Sequence, residues 1–370
     1  MRKEPKRQRR ARRHRCRMHA LDRARRLEAR ARDRRARRTL QRWSRRTGPA
    51  AWIYAPSWLC LAPRSQSKRK RSRHAETARF VDELRRSFET GQPQVCIDFS
   101  RLERVVSDGM LLFFSELCSL VATYPNQRLR CVPSKDDTVN QVLEHLGVYR
   151  MLGHKSGVTP SREDVITWKT ESSEIVDAER SGELIESYDY LVGERSKSMF
   201  RATSEAITNA VNHAYDYSHR TAETSAQRRP RRWWMFCRED NDTLTVAVCD
   251  RGMGIPVSLP AKFPQEHWWR LVSKFSRDRR HRDAGFIRAA AEMKRTRTDE
   301  PNRGKGLPDV IHVADKGSAA RVFIHSNRGI LVRADGRFFQ HEMKQSIRGT
   351  LIIWQLPIPE DSDHEQHDDH

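Results

Sequence analysis

Glu205, Asn209 and His213 stand at i, i+4 and i+8 within the run Ser204-Glu205-Ala206-Ile207-Thr208-Asn209-Ala210-Val211-Asn212-His213-Ala214-Tyr215. At about 3.6 residues per turn that spacing aligns the three on one helix face, so a single face can carry a reaction centre. The amide oxygen of Asn209 is a hard ligand suited to Mg²⁺, a cation that takes few protein groups and completes its octahedron with water and nucleotide phosphates. Glu205, one turn earlier, is placed to polarise a water or hydroxyl near a terminal phosphate.

Two further segments extend this chemistry. Thr243 to Cys249 alternates and is rich in β-branched residues, which predicts a strand that delivers Asp250 at its end. In Asp250-Arg251-Gly252-Met253-Gly254-Ile255-Pro256, Gly252 and Gly254 let the backbone turn sharply beside a flat ligand. The Asp250 carboxylate can accept a hydrogen bond from an exocyclic amine, which separates adenine from guanine. In Arg303-Gly304-Lys305-Gly306-Leu307, a glycine-rich approach precedes a helix-like run from Pro308 to Ala314. Exposed amides at a helix start attract phosphate, and Arg303 and Lys305 add charge. This third segment is neither a Walker loop nor a G-x-G-x-x-G fingerprint, because Asp309 takes the place of the third glycine.

Together the three segments resemble the asparagine box and the two glycine boxes of the gyrase, chaperone, histidine-kinase and mismatch-repair (GHKL) ATPase superfamily. Ser204 to Tyr215 and Asp250 to Pro256 are most similar to the bacterial anti-sigma-factor serine kinases. That resemblance implies a two-layer α+β sandwich that binds ATP with Mg²⁺. It assigns Glu205 as general base, Asn209 as the Mg²⁺ ligand and Asp250 as the adenine reader, with Gly252, Gly254, Gly304 and Gly306 shaping the pocket beside Leu307. Gly349-Thr350 resembles the superfamily's late Gly-Thr, which places Thr350 on the adenine side. The resemblance covers roughly residues 186–357. About fifty residues separate Gly254 from Gly304, and this lid (257–303) is long and basic, with Trp268, Trp269, Arg277, Arg279, Arg280, Arg282, Arg295 and Arg297. Asp283 to Lys294 reads as a helix within it, since a long connection in a compact domain is functional or carries structure of its own.

The elements ahead of this region form a second pattern. Trp52 to Tyr54 and Leu59 to Leu61 are strand-like, Glu76 to Phe88 helical, Val95 to Phe99 a strand, Gly109 to Val121 a helix, Leu129 to Val132 a strand and Thr138 to Leu146 a helix. Such alternation predicts an α/β layer. Val95 to Leu117 resembles the sulfate-transporter and anti-sigma-antagonist (STAS) domain, in which the phosphorylated serine directly precedes a glycine. Asp108 holds that position here, after Ser107. The phosphoswitch is therefore lost, displaced to Ser107, or fixed in a charged state.

The chain has 370 residues and a formal net charge of +23. Residues 1–50 hold 22 Lys and Arg against 4 Asp and Glu, which leaves only +5 for the remainder. Such an arm binds nucleic acid or other polyanions through phosphate, without base reading; a leader with the true start at Met18 or beyond is the other reading. No apolar stretch reaches the ~18 to 20 residues of a membrane helix, and the Arg-rich lead is far longer than a signal-peptide n-region. Seven cysteines without a C-x-x-C pair read as core thiols in a reducing cytoplasm. The expected organisation is a disordered basic arm (1–49), a STAS-like α/β domain (50–152), a polar joiner (153–184), the ATP-binding domain (185–358) and an acidic, His-rich tail (359–370).

The function expected is that of a cytoplasmic Mg-ATP-binding signalling protein, a serine-kinase-like enzyme or an ATP-gated interaction switch. Its partner would be its own STAS-like layer, a STAS-type or sigma-factor-like regulator, or a second copy of the chain. Tethering holds the two modules at roughly millimolar effective concentration, which raises phosphorylation of Ser107 in cis as one mode of action. Two other readings stay open: a histidine-kinase-like ATPase without its phosphotransfer helix, and a nucleic-acid-associated ATPase that uses the basic arm.

Overall fold

The computed structural model describes residues 50–61, 68–186, 195–217, 229–240, 243–260, 272–273, 282–292, 306–315 and 319–358. The expected basic arm and acidic tail, Arg303, Gly304 and Lys305, and the arginines and tryptophans named for the lid lie outside them or have side chains that are not described. In chain order the elements are β1 (Ala51–Tyr54), β2 (Trp58–Leu59), α1 (Lys68–Glu89), β3 (Gln94–Asp98), β4 (Arg104–Val105), α2 (Ser107–Thr123), β5 (Arg128–Val132), α3 (Asp137–His145), α4 (Val148–Met151), α5 (Glu163–Ile166), β6 (Lys169–Ser173) and α6 (Ala178–Glu186). They continue with α7 (Ser196–Asn209), a π turn (Ala210–Ala214), β7 (Trp233–Asp240), β8 (Thr243–Asp250), α8 (Ile255–Ser258), α9 (Arg282–Glu292), α10 (Leu307–His312), β9 (Arg321–Ser326), β10 (Gly329–Ala334), β11 (Arg337–Glu342) and β12 (Thr350–Pro357). The chain is an α/β protein with one parallel and one antiparallel main sheet.

The parallel sheet has the order β1-β3-β5. Every residue of β3 is buried, as expected of a central parallel strand covered on both faces. The second sheet is antiparallel, ordered β11-β10-β9-β12-β8-β7-β6. Its edge strand β6 comes from the stretch 153–184 that the sequence reads as a joiner, where α5 and most of α6 also lie. The polar run Lys-Thr-Glu-Ser-Ser carries little alternation, so only its pairing with β7 reveals it as a strand.

Alternation along the antiparallel sheet sorts its side chains onto two buried faces. Trp233, Met235, Val246, Val248, Ile324, Ile352 and Trp354 share a core with α6, α7, α9 and α10. Trp234, Phe236, Ala247, Cys249, Phe323, Ile330, Leu351 and Ile353 share the other core with α1, α2 and the parallel sheet. The β1–β5 layer therefore docks on the back of the large sheet through one continuous apolar core. Helix α2 is the contact: Leu111, Leu112, Phe113, Leu117 and Leu120 are all buried, the pattern of a helix enclosed on every side. A Cβ on Gly109 would lie 2.4 Å from the backbone of Leu59 and Cys60, so only glycine lets the first turn of α2 lie against β2.

Inside this contact sits one carboxylate among three guanidinium groups. Glu116 of α2, 0 % exposed, accepts from Arg85 Nε and Nη2 at 2.8 and 3.0 Å, from Arg229 Nη1 at 2.9 Å and from Arg251 Nη2. Burial alone would push Glu116 up, but Arg251, Arg85 and Arg229 together hold it well below the usual carboxylate range. At the rim, Asp82 pairs with Arg85 and Arg348, and Glu89 with Arg229 and Arg348. The six cysteines among the described residues are free thiols, four of them buried, and burial raises Cys96 and Cys118 to about 12. Among the described residues no helix is long and apolar enough to cross a membrane.

The same interface buries two neutral histidines. His74 of α1 and His325 of β9, 4 % and 1 % exposed, face each other with ring centroids 5.1 Å apart. Both ring nitrogens of His74 and Nε2 of His325 have no hydrogen-bond partner. Burial, with His341 adding repulsion, lowers His74 from 6.5 to about 4 and drives His325 well below its ordinary value. Between pH 6.5 and about 4 the unfolded chain thus binds more protons than the folded one. The stability these rings allow is complete above pH 6.5 and is lost as pH falls. At 1.36 kcal/mol per pKa unit, His74 should account for about 3 kcal/mol of lost unfolding free energy between pH 7 and pH 4. Denaturant titrations of wild type and His74→Leu across this range should show a shallower pH slope in the variant; equal slopes would contradict the assignment.

Candidate functional site

Helix α7 forms because Met199, Ala202, Thr203, Ala206, Ile207 and Ala210, all buried, repeat at helical spacing and seal one stripe against the sheet. The Thr203 hydroxyl is absorbed by a bond to Met199 O at 2.8 Å. Glu205 and Asn209 flank that stripe, half-buried. Asn209 Nδ2 donates to Glu205 Oε1 at 3.4 Å, which leaves Oδ1 as the oxygen a cation would take. After Asn209 the helix widens into the π turn, a local feature found at functional sites. The i, i+4, i+8 row expected for Glu205, Asn209 and His213 is therefore kept for the first two only, because the wider turn changes the angular step before His213.

The π turn seats the glycine turn. Met253 N donates to Ala214 O at 2.8 Å, and a Cβ on Gly252 would fall 2.1 Å from that same oxygen. Tyr215, at the end of the turn, accepts from Arg251 N at 2.9 Å and donates to Arg232 O at 2.5 Å. Asp250 ends β8, as its β-branched run predicts, and lies opposite Thr350 of β12 and Trp233 of β7. Its side chain is thus on the α7 face of the sheet. Asp250 Oδ1 accepts from Gly252 N at 2.9 Å and from Thr350 N at 3.3 Å. Burial outweighs these bonds and raises Asp250 to about 6.

Gly306 begins α10, and its Cβ position lies 3.8 Å from Glu205 Oε1. Leu307 packs at the edge of the same core. The structure thus brings Glu205, Asn209, Asp250, Gly252, Gly254, Gly306, Leu307 and Thr350 to one face of one sheet, although they come from four stretches of the chain.

Several residues of the site carried no assigned role in the sequence. Ser326 Oγ accepts from Ile255 N at 2.8 Å and lies 3.0 Å from Thr350 Oγ1. Asn327, with φ 52°, donates from Nδ2 to Met253 O at 2.8 Å. The Ser-Asn pair between two apolar strands signals a turn, but its grip on a loop about seventy residues away has no sequence signature. Tyr215 and Arg251 were visible only as members of the boxes. A separate cleft of about 280 Å³, lined by Arg104, Asp136, Arg162, Asp164, Trp168 and Arg238 among others, lies away from these residues.

The sheet stands between this site and Ser107. Ser107 and Asp108, both buried, open α2 on the opposite face. Among the described residues no group of three His, Cys, Asp or Glu side chains is arranged to hold a metal ion. No protein-family model matches the chain, and no curated protein matches it.

If the glycine turn seats the site as described, Gly252→Ala must displace either that turn or Ala214 O. Overpacking of this kind costs about 1–3 kcal/mol. A lower denaturation midpoint, accompanied by faster backbone exchange at Met253, is the expected outcome; an unperturbed midpoint would contradict the contact.

Proposed function

We propose that the chain binds Mg-ATP against the α7 face of the antiparallel sheet and acts as an ATP-gated interaction switch in signalling. The seven-stranded sheet with its helical layer is read as the two-layer ATP-binding fold of the GHKL superfamily, and the β1–β5 layer as STAS-like. The observation that carries this reading is the convergence of the Glu205–Asn209 pair, the Asp250 carboxylate with Thr350, and Gly306 around one site. A chance amphipathic helix and a chance D-x-G turn have no reason to meet there.

In this reading Asn209 Oδ1 is the protein's ligand to Mg²⁺, the remaining positions being filled by phosphate oxygens and water. Asp250 accepts from the exocyclic amine of adenine, held in place by Gly252 N and Thr350 N. Glu205, next to Asn209, orients the water or hydroxyl that would attack the terminal phosphate. A switch is preferred to phosphorylation of Ser107 in cis, because the docked layer keeps Ser107 behind the sheet. Transfer to a separate protein remains compatible with Glu205.

Calorimetric titration with ATP, ADP and GTP, with and without Mg²⁺, tests the reading. Wild type should prefer ATP to GTP, Asp250→Asn should lose that preference, and Asn209→Ala should lose the Mg²⁺ dependence. Equal affinity of the wild type for ATP and GTP would contradict it. Because the adenine amine needs the ionised carboxylate and burial holds Asp250 near 6, ATP affinity should fall as pH drops from 7 to 5, by up to tenfold per unit below 6. Asp250→Asn should show no such fall.

A further inference from the structure

Asp250 is the last residue of β8 and Arg251 the first one after it, and their side chains leave on opposite faces of the sheet. Asp250 faces α7. Arg251 crosses to the back and meets α2, where Nη2 donates to Glu116 Oε2 and to Ile347 O, the latter at 2.7 Å. Its backbone N is held by Tyr215 at the end of the π turn that follows Asn209, and the next residue, Gly252, donates to the Asp250 carboxylate. One residue therefore joins three things: the acid that reads the base, the helix end that carries Asn209, and the layer behind the sheet.

The Arg251 side chain is fully buried, and its Nε and Nη1 carry no hydrogen bond. Glu116 supplies its only ion pair with an acid among the described residues. A buried charge whose partner is removed is strongly destabilised, so without Glu116 the guanidinium must leave its seat or draw in water. Either change moves the main chain between Asp250 and Gly252, where the close contact with Ala214 leaves no slack. Arg85 and Arg229 cannot take over the role of Glu116, because they carry the same charge as Arg251.

We infer that Glu116, in the layer behind the sheet, is a positioning residue for the nucleotide site, and that docking of the β1–β5 layer and ATP binding are coupled through its pair with Arg251. The inference rests on the ATP-binding reading and adds to it the regulator: the chain's own β1–β5 layer. Coupling of this kind is reciprocal. A partner that pulls α2 from the sheet weakens ATP binding, and bound ATP holds α2 in place.

The test compares ATP and GTP affinities of the full chain as wild type, Glu116→Gln, Glu116→Asp and Phe114→Leu. Phe114 packs on Phe236 in the same interface, with ring centroids 5.4 Å apart, and stands two residues before Glu116 on α2, about 200° around the helix, so its variant controls for a merely loosened core. Glu116→Gln should weaken ATP binding about tenfold and reduce the preference for ATP over GTP. Glu116→Asp should recover part of both, and Phe114→Leu should change neither while lowering the melting temperature. Unchanged affinity and selectivity in Glu116→Gln, with wild type binding ATP normally, would overturn the coupling and leave the ATP reading standing. A wild type that binds no ATP would overturn both. Should Glu116→Gln not fold, hydrogen exchange of the wild type decides: Mg-ATP should slow exchange in residues 110–120, and unchanged exchange there overturns the inference.

Discussion

One carboxylate, Glu116, is shared by three guanidinium groups that reach it from α1, from the segment leading into β7 and from the glycine turn after β8. Each of those arginines is buried, and none could remain so without a counter-charge. The pairing fixes where α2 lies on the large sheet, because a shift of α2 by one residue would carry the carboxylate away from all three. Apolar burial supplies most of the driving force for that docking, but it is non-directional. The ion cluster gives the docking its register.

Docking on the back of the sheet leaves the front to the site. The inner strands β7, β8, β9 and β12 of the antiparallel sheet are buried on both faces along most of their length, so they act as a partition as well as a scaffold. On the front, α7, the glycine turn and the start of α10 converge; on the back lie α2 and the buried Ser107. Anything that passes between the two sides must travel through the strands. The junction of β8 with the glycine turn is one such route, since Asp250 and Arg251 face opposite ways and are bonded to groups on the two sides. That arrangement favours a switch, in which nucleotide and layer sense each other through the main chain, over a direct chemical step between them.

Much of this was legible in the sequence. The strands and helices expected at 52–54, 95–99, 109–121, 129–132 and 138–146 correspond to β1, β3, α2, β5 and α3 within a few residues, because their apolar patterns are strong. The run ending at Cys249 was readable as a strand for the same reason, and the helix expected at 283–294 corresponds to α9. Three features were not legible. The π turn after Asn209, whose last residue Ala214 packs on Gly252, is a departure from α-helical spacing that a periodicity count assumes away. Strand β6 is polar and exists only through its pairing with β7. Glu116 sits in a helix otherwise rich in leucine and phenylalanine, where a lone glutamate gives no hint of its partners 31, 113 and 135 residues away.

The central claim is that Mg-ATP lies on the front of the sheet, with its base at Asp250 and its cation at Asn209, while the β1–β5 layer stays docked behind. A crystal structure of the full chain with a non-hydrolysable ATP analogue and Mg²⁺ tests it most directly. The account predicts the adenine amine within hydrogen-bond distance of the Asp250 carboxylate, Mg²⁺ on Asn209 Oδ1 and the Glu116–Arg251 pair intact. Nucleotide bound instead in the cleft near Arg104, Arg162 and Arg238, with the Asp250 side empty, would contradict it.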